Sequence, residues 1–203
     1  MRLRTLSLIA LVLGAGCSRD EVMVVRDSPY YPLKVGCRWV YKDTGPARKG
    51  VAKPPDLVRK VVKHEKIGDY SCALITNVRG EEAPHTEHVS ATAEGVYLVA
   101  IEGRRLSSPL RILKLPPKAG EHWRADSRDK NPLRKGIYIM GEEEVTVPAG
   151  TYKAVTLRGE IVEEGGRTTD VNYWFAEGVG MVKQLVRTDG QTAIYELESF
   201  KTP

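Results

Sequence analysis

The sequence predicts an all-β fold, an antiparallel curved sheet or a partly open barrel. Three observations carry this. Apolar residues alternate with polar ones in Cys37/Trp39/Tyr41, Tyr97/Val99/Ile101, Val145/Val147, Val155/Leu157/Ile161 and Val171/Tyr173/Phe175, which is the two-residue period of a half-buried strand. Turn signals interrupt at short intervals: Ile67-Gly68-Asp69, Glu102-Gly103, Pro148-Ala149-Gly150, Gly165-Gly166, Gly178-Val179-Gly180 and Asp189-Gly190. No stretch after residue 16 keeps a 3.6-residue period long enough for a helix. Many short strands joined by tight turns bury their apolar faces as a curled sheet.

The chain of 203 residues opens with Arg2 and Arg4, an apolar run over residues 5–13, and Gly14-Ala15-Gly16-Cys17. A cationic start, a short apolar run and small residues before a cut describe an export signal. The run is too short for a spanning helix, which needs about 20 apolar residues. Ending on Gly-Cys, it resembles a bacterial lipoprotein signal, although Leu13 stands four residues before the cysteine, where the commonest pattern has Leu at three. The resemblance implies cleavage of residues 1–16, lipid on Cys17 and attachment to a membrane of the cell envelope. Ser18 after the cysteine resembles outer-membrane sorting if the host is Gram-negative. The alternative is an ordinary secretory signal cut near Ala15. Residues 17–34 then read as lipidated cysteine and tether, and 35–203 as the β body.

Within the body, residues 43–55 form a loop rich in glycine and proline, and Asp189-Gly190 is a two-residue hairpin signal between strands over 181–188 and 191–200. Pro32-Leu33-Lys34-Val35-Gly36-Cys37-Arg38-Trp39 and Pro116-Pro117-Lys118-Ala119-Gly120-Glu121-His122-Trp123 share Pro-x-x-x-Gly-x-x-Trp. Proline stops the preceding segment, glycine takes a turn conformation closed to most residues, and the tryptophan lands inside the following strand. The echo divides the body into halves at 35–115 and 116–203, through duplication or through shared turn chemistry.

Tyr30-Tyr31-Pro32-Leu33-Lys34-Val35-Gly36-Cys37-Arg38-Trp39-Val40-Tyr41 resembles the opening of a group of β-rich bacterial lipoproteins. Val147-Pro148-Ala149-Gly150-Thr151-Tyr152 and Phe175-Ala176-Glu177-Gly178-Val179-Gly180-Met181-Val182-Lys183 resemble its later motifs. The resemblance implies β architecture and an envelope location. It brings no activity and no catalytic residue.

With Cys17 assigned to lipid, Cys37 and Cys72 remain. Each alternates with apolar residues, Cys72 with Leu74 and Val78, so both are expected on the buried side. A disulfide between them would close a loop of about 35 residues and stabilise by roughly 3–4 kcal/mol; two buried thiols are the alternative.

The formal charge of +5 falls to +3 when Arg2 and Arg4 leave with the signal. Basic residues are scattered among acids, and even the richest patch, residues 126–135, alternates in sign over its first half. Nucleic-acid binding needs a clustered basic face and is not expected. His85-Thr86-Glu87-His88 would place its histidines on opposite faces of a strand, so no metal site or cofactor is expected there. Glu142 and Glu144 read as a solvated stripe. No nucleophile motif is present, and no catalytic residue is assigned. Trp174 should face away from Tyr173 and Phe175, as an exposed aromatic for a ligand or as packing on a covered face.

The expected function is therefore a non-catalytic, lipid-anchored envelope protein that binds a partner or supports envelope structure. The alternative is a carrier of an apolar ligand or lipid in a concave half-barrel. An enzyme would need converging histidines and carboxylates in a cleft.

Overall fold

A computed structural model describes residues 25–47, 52–128, 134–163 and 166–203. Cys17 and the expected signal lie outside the described residues, as does the whole stretch from 17 to 24. The described chain forms twelve strands and no helix. The first six are β1 Arg38–Asp43, β2 Leu57–Ile67, β3 Tyr70–Arg79, β4 His85–Ala91, β5 Gly95–Ile101 and β6 Arg104–Lys114. The second six are β7 His122–Asp126, β8 Arg134–Val147, β9 Gly150–Val162, β10 Thr168–Ala176, β11 Gly180–Thr188 and β12 Gln191–Lys201. All pair antiparallel in one sheet, in the order β6-β5-β4-β3-β2-β1-β12-β11-β10-β9-β8-β7. The result is a nearly closed barrel, an all-β antiparallel fold as the sequence predicts.

Every neighbouring pair except β1–β12 is consecutive in the chain. The two runs of six strands are therefore two meanders joined side by side. Asp189 and Gly190 turn between β11 and β12 with φ of 51° and 74°, as a type I′ hairpin requires. Bulges at Val61/Lys63, Leu98/Ala100, Ile139/Gly141 and Trp174/Phe175 add local twist and curl the sheet.

The Pro-x-x-x-Gly-x-x-Trp echo is repeated in backbone detail. Gly36 and Gly120 both take positive φ, 99° and 82°. Gly36 donates to the Val61 carbonyl at 2.9 Å and Gly120 to that of Ile139 at 2.8 Å. Val61 donates back to Cys37 at 2.9 Å, and Ile139 to Glu121 at 2.8 Å. In both halves the partner strand then bulges at once, after Val61 and after Ile139.

Most of the core lies inside the barrel, with Trp39, Tyr41, Val61, Ile75, Val89, Leu157, Phe175 and Leu197 at 3 % exposure or less. Expectation and structure part in three places. Val25, Tyr31 and Leu33 are buried, and Asp27 Oδ1 accepts from the Leu33 amide at 2.8 Å. From Val25 onward the expected tether is thus packed into the barrel. On β5, Val96 and Leu98 turn to the interior in place of Tyr97 and Val99 of the expected Tyr97/Val99/Ile101 set, while Ile101 does line it, because Val99 is an extra residue between Leu98 and Ala100 that reverses the alternation. On β3, Ala73 and Ile75 join the core, and Cys72 is buried outside it.

That last difference decides the cysteines. Cys37 and Cys72 are free thiols. Cys37 belongs to the interior cluster and Cys72 does not. Cys37 meets β2 at Val61, whereas Cys72 stands opposite Glu65, about 13 Å further along at the usual strand rise. A disulfide needs Cα atoms within about 7 Å, so the expected bridge is replaced by two separate buried thiols.

Candidate functional site

The sheet closes on itself at one junction and stays open at the other. At β1–β12 a ladder runs from Arg38↔Lys201 to Asp43↔Tyr195. Trp39 sits beneath it, donating Nε1–H to the Val179 carbonyl at 2.7 Å and stacking on Phe200 at 5.3 Å. Tyr41 reaches the Met181 carbonyl at 2.8 Å. At β6–β7 no ladder forms. Among the described residues, this seam is spanned by the Ser108 amide to the Ser127 carbonyl at 3.0 Å, Trp123 Nε1 to the Arg111 carbonyl at 3.1 Å, and Lys114 to Glu121 at 2.9 Å. Pro109 has no N–H to offer across β6, and β7 is only five residues long.

An internal cavity of about 350 Å³ lies within the barrel, inside the range of small-molecule sites, roughly 300–1,000 Å³. Its wall is mostly apolar, including Tyr31, Leu57, Leu98, Ile112, Ile161 and Phe175. The polar part of the wall is organised by Arg59, which holds Glu87 at 2.7 Å and also donates to the Tyr31 hydroxyl. Burial pushes the Tyr31 phenol up to about 12, so it is neutral at physiological pH. Lys135 Nζ donates to the Tyr173 hydroxyl at 3.2 Å, and Arg111 donates to that of Tyr97 at 2.9 Å.

Outside the cavity, the open seam forms a cleft of about 780 Å³ between β6, β7, the start of β8 and the end of β9. Arg111 and Lys135 line both spaces, so cavity and cleft adjoin there. The basic patch at 126–135 supplies Arg128, Arg134 and Lys135 to the cleft, while residues 129–133 lie outside the described residues.

Trp174 does face away from Tyr173 and Phe175, but it is half-buried. Its Nε1–H is donated to Glu143 Oε1 at 2.6 Å, and Lys183 Nζ lies 5.6 Å from its ring centre. The first half holds a counterpart. His88 Nε2 meets Glu65 Oε1 at 2.8 Å, and the register matches: Lys63, Leu74 and His88 align across β2–β4 as Gly141, Thr156 and Trp174 do across β8–β10. Trp174 is thus one of two braces in which a ring N–H ties the third strand to a carboxylate on the first.

The histidines do not converge. His85 lines the cavity and pairs with Glu102 at 2.6 Å, His88 points the other way, and His64 contacts the Leu33 carbonyl at 2.7 Å. Burial, aided by Glu65, pushes the Cys72 thiol up to about 11, and burial with Asp27 raises Cys37 as well. Neither thiol is in its nucleophilic thiolate form at physiological pH. Among the described residues no three histidine, cysteine or carboxylate side chains group as metal ligands.

The sequence reading missed the Arg59–Glu87 pair and the cleft. The closely packed cations of residues 126–135 were the available signal for the cleft. The Arg59–Glu87 pair joins β2 to β4 and left no local signature.

Together these features define a class: a twelve-stranded, nearly closed barrel with a small apolar interior and one open seam. Two solved structures share this fold. One is of a protein from Parabacteroides distasonis called "a putative lipoprotein", at 16% identity and a TM-score of 0.52, covering 87% of this chain and 100% of that one. The other is of "a putative exported protein with YmcC-like fold" from Bacteroides fragilis, at 13% identity and a TM-score of 0.52, covering 85% of this chain and 99% of that one. No family model matches the chain, and no curated protein matches it in sequence.

Proposed function

We propose that this chain is a non-catalytic binding protein of the cell envelope, anchored through lipid on Cys17, which takes an apolar small molecule or lipid into its internal cavity. The cavity is the observation that carries this reading. It is of ligand size and mostly apolar, and it adjoins an open seam through which it can be reached. Support for the location is the resemblance of residues 1–17 to a lipoprotein signal, together with the names of the two similar structures. In a Gram-negative host, Ser18 favours the outer membrane. The non-catalytic reading is supported by the scattered histidines and by the two thiols held above their ordinary pKa. Nucleic acid is not among the expected partners.

Two measurements test it. Mass spectrometry of protein expressed in a bacterium should find a lipid-modified Cys17 at the mature N-terminus; an unmodified terminus at another residue would remove the anchor. The neutral fluorescent probe N-phenyl-1-naphthylamine should bind the purified protein and lose binding in the cavity-filling variant Leu98→Trp, with the circular dichroism spectrum unchanged. A folded Leu98→Trp variant that binds the probe as well as the parent would sink the cavity reading.

A further inference from the structure

We infer that the ligand is a single-chain amphiphile with an anionic head group, its tail in the cavity and its head in the seam cleft, an inference that rests on the cavity reading above. The cations of the barrel fall into two groups, one neutralised and one not. Inside the barrel, Arg59 is held by Glu87 at 2.7 Å, with side-chain exposures of only 16% and 23%. Its charge is cancelled where it sits.

Arg111 and Lys135, which line both cavity and cleft, are treated differently. Among the described residues neither has a carboxylate within salt-bridge distance. Arg111 is oriented by Tyr97 through contacts of 2.9 and 3.2 Å. Lys135 is oriented by the Tyr173 hydroxyl at 3.2 Å and lies 4.7 Å from that ring's centre. A phenol fixes the direction of a cation without cancelling its charge. With Arg111 and Lys135 themselves included, five cationic side chains among the described residues line the cleft, against two carboxylates, Asp126 and Glu160. Arg134 already holds Asp126 at 3.3 Å.

Positive charge beside an apolar wall is poorly solvated. An anion there would form charge-assisted hydrogen bonds, and a guanidinium beside an ammonium suits a carboxylate or a phosphate. A free inorganic anion would leave the cavity unfilled, and a neutral hydrocarbon would leave the cations unpaired. A molecule with an apolar tail and an anionic head satisfies both parts at once.

The test uses the full mature protein at pH 8, with N-phenyl-1-naphthylamine as the displaced probe. Competitors are decanoate, decyl phosphate, decanol and inorganic phosphate. Decanoate and decyl phosphate should displace the probe at concentrations about tenfold below decanol, since one charge-assisted hydrogen bond is worth at least that factor. Inorganic phosphate should not displace it. The double variant Arg111→Gln/Lys135→Gln should lose the tenfold preference of decanoate over decanol, with a circular dichroism spectrum and urea midpoint like the parent's showing that it is folded. Arg111→Lys should keep part of the preference. Equal displacement by decanol and decanoate, or a preference that survives in the double variant, would overturn the head-group inference and leave the cavity reading standing. Displacement by inorganic phosphate alone would make the cleft a simple anion site and overturn it too. No probe binding and no competitor binding would take both readings down.

Discussion

The sheet could meet itself at two places, β1–β12 and β6–β7, and each half brings the same turn, glycine and tryptophan to one of them. At β1–β12 the strands form a full ladder, and Trp39 is 3 % exposed beneath it. At β6–β7 the ladder is missing, and Trp123 is only half-buried. Both indoles still donate to a backbone carbonyl, at 2.7 and 3.1 Å. The local device is therefore the same, and what differs is the strand it meets. A proline at 109 and a five-residue β7 leave one junction open, and the adjoining cleft is where the unneutralised cations gather. On the proposed function, the one junction of two that fails to close is what gives the cavity its opening.

The largest expected effect separates the two tryptophans. Trp39→Ala removes a fully packed ring and should cost about 3–5 kcal/mol. Trp123→Ala should cost roughly half as much, because less of its surface is covered. Urea unfolding of both variants measures this, and equal losses would break the contrast between the junctions.

The glycines give the next test. Both positions need positive φ, which costs a non-glycine residue about 1–2 kcal/mol. At Gly36 an added Cβ would also lie 3.1 Å from the Cβ of Pro203, whereas at Gly120 nothing is within 4 Å. Gly36→Ala should therefore lower the urea midpoint more than Gly120→Ala. The reverse order would mean that Pro203 does not crowd the Gly36 turn.

The strands were legible because their interior faces are regular. Val171, Tyr173 and Phe175 alternate into the core as read, and Asp189-Gly190 makes the turn its residues require. The paired Gly36 and Gly120 turns were visible as a repeated spacing. What could not be read came from single extra residues and from distant pairings. One extra residue in β5, Val99, reverses the alternation, so that Val96 and Leu98 face the interior before it and Ile101 after it, because side-chain direction reverses with each residue. Cys72 is buried as expected, but outside the interior cluster that holds Cys37, a difference the run Cys72-Ala73-Leu74-Ile75 hides because it is apolar on both sides. The β1–β12 ladder joins the two ends of the described chain and has no local trace, and the same is true of the Glu65–His88 and Glu143–Trp174 braces.

Those braces supply the smallest expected effect. Hydrogen bonds from Lys63 and His88 hold the Glu65 carboxyl below its ordinary pKa. A depressed pKa means stability that is present above the unfolded value and lost as pH falls through the folded one. Glu65→Gln should therefore lower stability at neutral pH by less than about 1 kcal/mol, given the partial exposure of the group. It should also flatten the loss of stability below about pH 4. Glu143→Gln, its counterpart in the second half, provides the comparison in the same urea titration. An acid limb equally steep in Glu65→Gln and the parent would remove the brace from the account.

The central claim is that the open β6–β7 seam is the working part of the barrel. Ser108 and Ser127 face each other across it, joined by a backbone hydrogen bond of 3.0 Å, while Val40 and Ser199 pair across the closed junction. Cysteines placed at 108 and 127 can lock the seam by a disulfide, and cysteines at 40 and 199 can lock the junction that is already shut. Binding of N-phenyl-1-naphthylamine should be abolished or strongly slowed in the oxidised 108/127 variant, recover on reduction, and stay unchanged in the oxidised 40/199 variant. Unaltered binding with the 108/127 bond formed would contradict the account.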